Sequence, residues 1–297
     1  MIIIFLLILI GYFIEKKHML SRHAGKDLSV LVLQITNPAL LIMSVLESDT
    51  TISRMQLLVA AIISIVLFVV LILLGRVLPI LLRAPQEQHL TYNLMTMFGN
   101  VAFIGIPVVS AVLGSEAMLY VVVFNLVFAL VVYTYGYFIL EEGQKKRQGF
   151  QIRKLINPGT VAGVVCILLF LLKPPVPRVL ADTIGYVGKG TTFICMLIIG
   201  FSLARMPLKS VFNEARLYVF IALRYVLLPV AAAFLLRLLI SDAMLRAVMV
   251  LMLAMPVANM PLMMMEEVGN ETALMSKGIV LSTICSLITV TVVAAFL

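Results

Sequence analysis

From Met1 to Leu297 the chain is a succession of apolar runs, and its longest polar stretch is only Glu141 to Lys154. Crossing a bilayer takes about 20 mostly apolar residues per helix, with every backbone polar group satisfied inside the segment. The polar punctuation cuts the 297 residues into ten such pieces, at 1–14, 25–46, 55–82, 89–113, 115–140, 157–173, 177–204, 214–240, 243–266 and 271–297. No soluble domain fits between them. Hydrophobic residues make up 63% of the chain and charged ones 12%, where a soluble domain carries about 25% charged. A soluble enzyme, a nucleic-acid binder, a disordered chain and a disulfide scaffold are therefore poor readings, and the expected fold class is an all-α integral membrane protein. Cys166, Cys195 and Cys285 stand singly inside apolar runs and read as small packed hydrophobes; no metal and no cofactor is called for.

The formal net charge is +8, which in a soluble protein would suggest an anionic partner. Its distribution gives it another meaning. The first apolar run has no basic segment before it and is followed by Glu15, Lys16 and Lys17 in place of a cleavage site, so it reads as a short first span, N-terminus outside, and not as a signal peptide. With that orientation fifteen Lys and Arg fall in inward-facing loops and five outside, while Lys189 and Arg224 lie within spans. Cationic loops mark the cytoplasmic face. The expected placement is a multi-pass protein of the inner membrane with both termini outside.

The chain also repeats. Gly114-Ser115-Glu116-Ala117-Met118-Leu119 resembles Gly269-Asn270-Glu271-Thr272-Ala273-Leu274 at an offset of 155, each copy following a proline-containing span and leading into a final one without prolines. Asn37-Pro38 and Asn157-Pro158 sit near the start of each half at a different offset, 120, and are not equivalent positions. Five spans per half is an odd number, so the second copy enters the membrane from the opposite face, the inverted-repeat plan of secondary transporters. The expected organisation is a first five-helix repeat over 1–143, a cytoplasmic linker over 144–156 and a second repeat over 157–297.

Spans four and nine carry the most informative residues, Gly99-Asn100-Val101-Ala102-Phe103-Ile104-Gly105-Ile106-Pro107 and Met255-Pro256-Val257-Ala258-Asn259-Met260-Pro261. Proline removes a donor and clashes with the carbonyl four residues back, so both helices are expected to kink or unwind near their centres. Freed backbone groups are tolerated at membrane depth only where protein or a water-filled cavity satisfies them. Two broken helices in corresponding places of two halves point to a binding site near the midplane, where Asn100 and Asn259 add amides that both donate and accept. The plainer alternative is a pair of packing kinks.

These residues carry a family resemblance. GNVAFIGIP over residues 99–107, Asn157-Pro158-Gly159 at the opening of span six, and PVANMPLMMMEE over 256–267 resemble the auxin efflux carrier family, which includes the plant PIN transporters and bacterial permeases of malate or malonate. Length, span count and the five-plus-five halves agree along the whole chain. The resemblance implies a fold related to the bile acid–sodium symporters, with spans four and nine crossing beside a substrate site between a scaffold and a mobile transport domain. It implies that Asn100 contacts a substrate carboxylate, that Pro107 and Pro261 are crossover positions, and that Asn157 is the asparagine of the span-six motif. The long central hydrophilic loop of the plant members is missing, and the plant sequence differs around Asn259, whose candidacy rests on local chemistry.

Charges inside spans are costly and by default face the interior or a cavity. Lys189, in Gly188-Lys189-Gly190, is a candidate for holding a carboxylate or for proton coupling; snorkelling to the outer interface is the alternative. Arg224 lies about two turns in from the cytoplasmic end and reads as a snorkelling cation. No acidic residue sits mid-span, and Glu267, closing span nine beside Glu266, is the acid chosen for proton coupling, ahead of sodium. Met260, Met263, Met264 and Met265 read as ordinary packing. His18, His23 and His89 lie in loops or at span edges and no HExxH occurs, so an enzyme is not expected. The expected function is secondary transport of a small organic anion, a carboxylate, by an elevator motion, with Asn100, Pro107, Asn157, Lys189, Pro256, Asn259 and Pro261 at the site. A channel or a non-transporting receptor is the alternative. Expected partners are the anion, the bilayer and a coupling proton, with a homodimer left open and no nucleic acid.

Overall fold

Apolar runs of this length close their backbone hydrogen bonds within themselves, and the chain is helical almost throughout. The computed structural model describes residues 2–21, 23–46, 52–140, 156–205, 214–267 and 269–296, and not the side chains at 2, 4, 5, 202, 266 and 267. All but the last residue of the expected linker 144–156 lies outside the described residues. In chain order the helices are α1 (Ile2–Lys16), α2 (Ala24–Leu46), α3 (Arg54–Leu81), α4 (His89–Met97), α5 (Val101–Leu113) and α6 (Ser115–Leu140). They continue as α7 (Pro158–Leu172), α8 (Arg178–Arg205), α9 (Ala215–Leu239), α10 (Ala243–Ala254), α11 (Met260–Glu267) and α12 (Ala273–Ala294). Among the described residues the sole β-type feature is one isolated antiparallel pairing.

Six of these helices, α2, α3, α6, α8, α9 and α12, are long and apolar enough to cross a membrane; α5, α7 and α10 are apolar but shorter. Along α3 the surface residues are themselves apolar: Leu58, Ile62, Ile65, Val69, Leu73, Val77 and Ile80 are each at least half exposed. Their spacing of three and four residues is one helix face. A continuous apolar face of that length suits lipid and not water. The protein is a multi-pass membrane protein.

Prolines act on the helices in a repeated way. Wider, π-type turns occupy Val32–Thr36, Val101–Gly105 and Leu223–Leu227, and each ends two residues before a proline: Pro38, Pro107 and Pro229. A turn with an extra residue accommodates the missing donor and the ring clash without ending the helix. A fourth such turn, Val132–Gly136 in α6, has no proline after it.

The chain divides into two compact units, each drawing on both sequence halves: Met1–Leu57, Ala102–Leu126 and Ile156–Met206 form one, and Leu58–Val101, Val127–Leu155 and Pro207–Leu297 the other. In the first unit α1 packs along α8, and α8 and α7 along α2. A Cβ at Gly11 would lie 2.5 Å from the Leu197 carbonyl oxygen, and one at Gly200 would collide with the Ile8 carbonyl. Small residues let helix backbones approach where lipid supplies no hydrophobic drive. At the end of this seam Arg205 donates to both carboxylate oxygens of Glu15, at 2.8 and 2.9 Å, a bidentate pair. In the second unit α12 packs against α9, α10 and α4.

The α1–α8 seam gives a direct expectation. Gly200→Leu should destabilise the purified protein by at least about 2 kcal/mol, the upper range for overpacking, whereas Gly190→Ala, where the nearest atom to a new Cβ is a side-chain methyl at 3.9 Å, should leave the thermal midpoint in detergent unchanged. Equal effects from the two would mean that close backbone approach does not hold the seam.

Candidate functional site

The site is built from two helix ends. Helix α4 stops at Met97, and Phe98 turns extended with φ −110° and ψ 94°. Helix α10 stops at Ala254, and Met255 is extended with φ −64° and ψ 135°. The second ending follows from the sequence, because a residue before proline is driven out of the α region and Pro256 follows Met255. The first does not. Proline was expected to break span four, yet the break falls at Phe98–Asn100, and Pro107 sits in the helix beyond it, in the first turn of its regular part. The preceding π-type turn takes up the proline, so the chain is free to break earlier, at Gly99.

The two extended segments pair with each other. Asn100 N–H donates to the Pro256 carbonyl at 2.6 Å, Ala258 N–H donates to the Phe98 carbonyl at 3.0 Å, and Gly99 lies opposite Val257 in antiparallel sense. Each break thus satisfies groups that the other leaves free, which burial away from water demands. Val257 N–H is taken up by the Ser282 hydroxyl of α12 at 3.0 Å, and Pro256 has no N–H to satisfy. A Cβ at Gly99 would stand 3.0 Å from the Met255 carbonyl oxygen, so glycine permits the contact. Phe98, Met255 and Val257 of the crossing, and Met95 just before it, are each at most 1% exposed. Met264 and Met265 are buried as well, whereas Met263 of the same run faces outward.

A cation joins this arrangement from α9. Arg224, 1% exposed, donates from Nε to the Thr96 carbonyl at 2.6 Å and from Nη1 to the Leu253 carbonyl at 2.8 Å. The neighbouring Tyr225 hydroxyl donates to the Met95 carbonyl at 2.7 Å, and the guanidinium lies 4.8 Å from the Tyr225 ring centre, within cation–π range. The last carbonyls of a helix have no intrahelical partner and carry partial negative charge. Arg224 and Tyr225 therefore cap the C-terminal ends of both half-helices. The expectation that Arg224 snorkels is wrong, because the carbonyls it needs are inside the protein.

The structure brings some of the expected site residues together and leaves others elsewhere. Asn100 and Pro256 pair directly, and Asn100 is 7% exposed. Asn259 is half-buried at the start of α11, its carbonyl accepting from Met263 N–H at 3.2 Å, and Pro261 is buried in the first turn of that helix. The paired positions are Phe98–Asn100 and Pro256–Ala258, and neither Pro107 nor Pro261 is among them. Asn157 belongs to the other unit, where its side chain accepts from Thr160 N–H at 3.1 Å and caps α7 ahead of Pro158. Lys189, also in that unit, is exposed on α8, and its neighbour Gly188 meets the backbone of α2, a Cβ there lying 3.0 Å from Leu40 Cα. The Glu267 side chain lies outside the described residues. Sequence reasoning missed Ser282 and Tyr225 altogether; the signal for Arg224 was present, a cation within a span of a chain with two broken helices.

The pairing makes two measurable claims. Ser282→Ala leaves Val257 N–H buried without a partner and should cost about 1–3 kcal/mol; Gly99→Val forces the paired segments apart and should cost at least about 2 kcal/mol. Thermal unfolding of the purified variants checks both, and wild-type stability of Ser282→Ala would remove the hydroxyl from the account.

Known proteins place this architecture. A family model described as membrane transport protein matches residues 1–294. An uncharacterized transporter of Methanocaldococcus jannaschii is 25% identical over 302 residues, covering 97% of this chain and 95% of the relative. With the family match running nearly end to end, the chain belongs to the membrane transport protein family.

Proposed function

We propose that the protein is a secondary active transporter of a small organic anion, a carboxylate, and that the paired breaks of α4/α5 and α10/α11 form its substrate site. The observation that supports this most is the antiparallel crossing of Gly99 and Val257, since two discontinuous helices meeting at membrane depth are where transporters of inverted-repeat design bind substrate. Helices α5 and α11 begin directly after Asn100 and Asn259, and helix N-termini favour negative charge. Asn100 supplies the amide that orients a carboxylate, and Asn259 a second polar group at the start of α11.

In this reading the ten apolar segments form two inverted five-helix halves, residues 1–143 and 157–297, with both termini outside the inner membrane. The unit that carries the crossing moves in elevator fashion, and protons drive it in preference to sodium, with Lys189 and Glu267 as the candidate groups.

Uptake by proteoliposomes tests the proposal. A labelled dicarboxylate or aromatic acid should accumulate under an imposed proton gradient, and Asn100→Ala should lower uptake at limiting substrate by about tenfold or more, the loss of one charge-assisted hydrogen bond. Absence of uptake for all such acids under proton and sodium gradients alike would sink the carboxylate reading. Unchanged uptake by Asn100→Ala would remove the crossing as the site and leave the function standing.

A further inference from the structure

We propose that Arg224 is a tethered counter-cation: it occupies, as part of the chain, the position between two half-helix C-termini where a free monovalent cation would otherwise be held. Three carbonyls converge there from two helix ends, Met95 and Thr96 of α4 and Leu253 of α10. Carbonyls of half-helix C-termini are a recurrent ligand set for sodium in discontinuous-helix transporters. In this protein all three are already bonded, two by the guanidinium and one by the Tyr225 hydroxyl. A guanidinium stays protonated under all ordinary conditions and reaches two acceptors at once. It is buried in a unit of mainly apolar interior, with its ring contact to Tyr225 beside it. A buried charge is costly unless paired or hydrogen-bonded, and here the opposing partial charges of two helix ends are its pairing.

Two consequences follow. Arg224 is a positioning residue that fixes the ends of α4 and α10 and so sets the register of the Asn100–Pro256 contact. The crossing also supplies its own permanent positive charge at its carbonyl-rich side and holds no sodium there. This deepens the transporter reading of the same crossing and rests on that reading only for its bearing on ion coupling.

The test uses the full-length protein purified in detergent, with thermal unfolding followed in sodium, potassium and choline chloride at equal ionic strength. Wild type should show one Tm in all three salts. Arg224→Ala should lose roughly 5–10 °C, the value of two charge-assisted hydrogen bonds in a chain of this size, and guanidinium chloride well below denaturing concentration should restore about half of it. Urea at the same concentration should restore nothing. Arg224→Lys, which keeps the charge but not the two-pronged reach, should fall between wild type and Arg224→Ala. Should Arg224→Ala fail to fold, the salt comparison on wild type and the position of Arg224→Lys decide the matter. A wild type stabilised by sodium over choline overturns the proposal, and so does an Arg224→Met variant as stable as wild type, or an Arg224→Ala variant indifferent to guanidinium. None of these readouts needs a substrate. Failure to transport an organic anion would defeat the functional reading and leave the Tm pattern untouched, while a sodium-stabilised wild type would do the reverse.

Discussion

Backbone groups released where a buried helix breaks must find partners, and in this protein they find them at a second helix break. A single break would leave buried donors and acceptors without partners, each at a cost of about 1–3 kcal/mol. Breaking both, at places that meet, turns the liability into a two-bond antiparallel pairing between Phe98–Asn100 and Pro256–Ala258. Ser282 completes it from α12. Glycine at position 99 and proline at 256 are each suited to it, one by leaving room for the Met255 carbonyl and the other by having no donor to satisfy.

Around this pairing the polar groups are arranged by sign. The C-terminal ends of α4 and α10 face the Arg224 guanidinium, while α5 and α11 begin after the two asparagines. A crossing of discontinuous helices thus has a carbonyl-rich side and an amide-rich side, and Arg224 stands at the carbonyl-rich one. The arginine lies within the π-type turn Leu223–Leu227 of α9, ahead of Pro229. The same device lets α5 absorb Pro107 and α2 absorb Pro38. These three prolines act on the turn before them, and the break in span four is left to Gly99 and Asn100.

Much of the fold could be read from residue order alone. The uninterrupted apolar runs dictate helices, since lipid offers no other partner for the backbone, and the residues at both helix breaks stood out by their Gly-Asn and Pro-Val-Ala-Asn patterns. Asn100 and Pro256 were legible as members of the helix breaks for that reason. Arg224 was legible as a buried-charge question and not as its answer. Whether a cation two turns inside a span snorkels or turns inward depends on acceptors contributed by other helices, here Thr96, 128 residues away, and Leu253, 29 residues away. Lys189 shows the opposite outcome: its glycine neighbours suggested close approach, and Gly188 spends that freedom on the backbone of α2, leaving the lysine exposed.

By itself, then, the sequence determined that this chain is a membrane-embedded bundle of helices and that two of them are interrupted, because hydropathy and the chemistry of proline and glycine act within a few residues. Tertiary structure decided the exact place of the first break, the partner of each freed amide and carbonyl, and the inward turn of Arg224. Those are choices between equally allowed local conformations, and each is settled by a group that lies distant in the chain and adjacent in space.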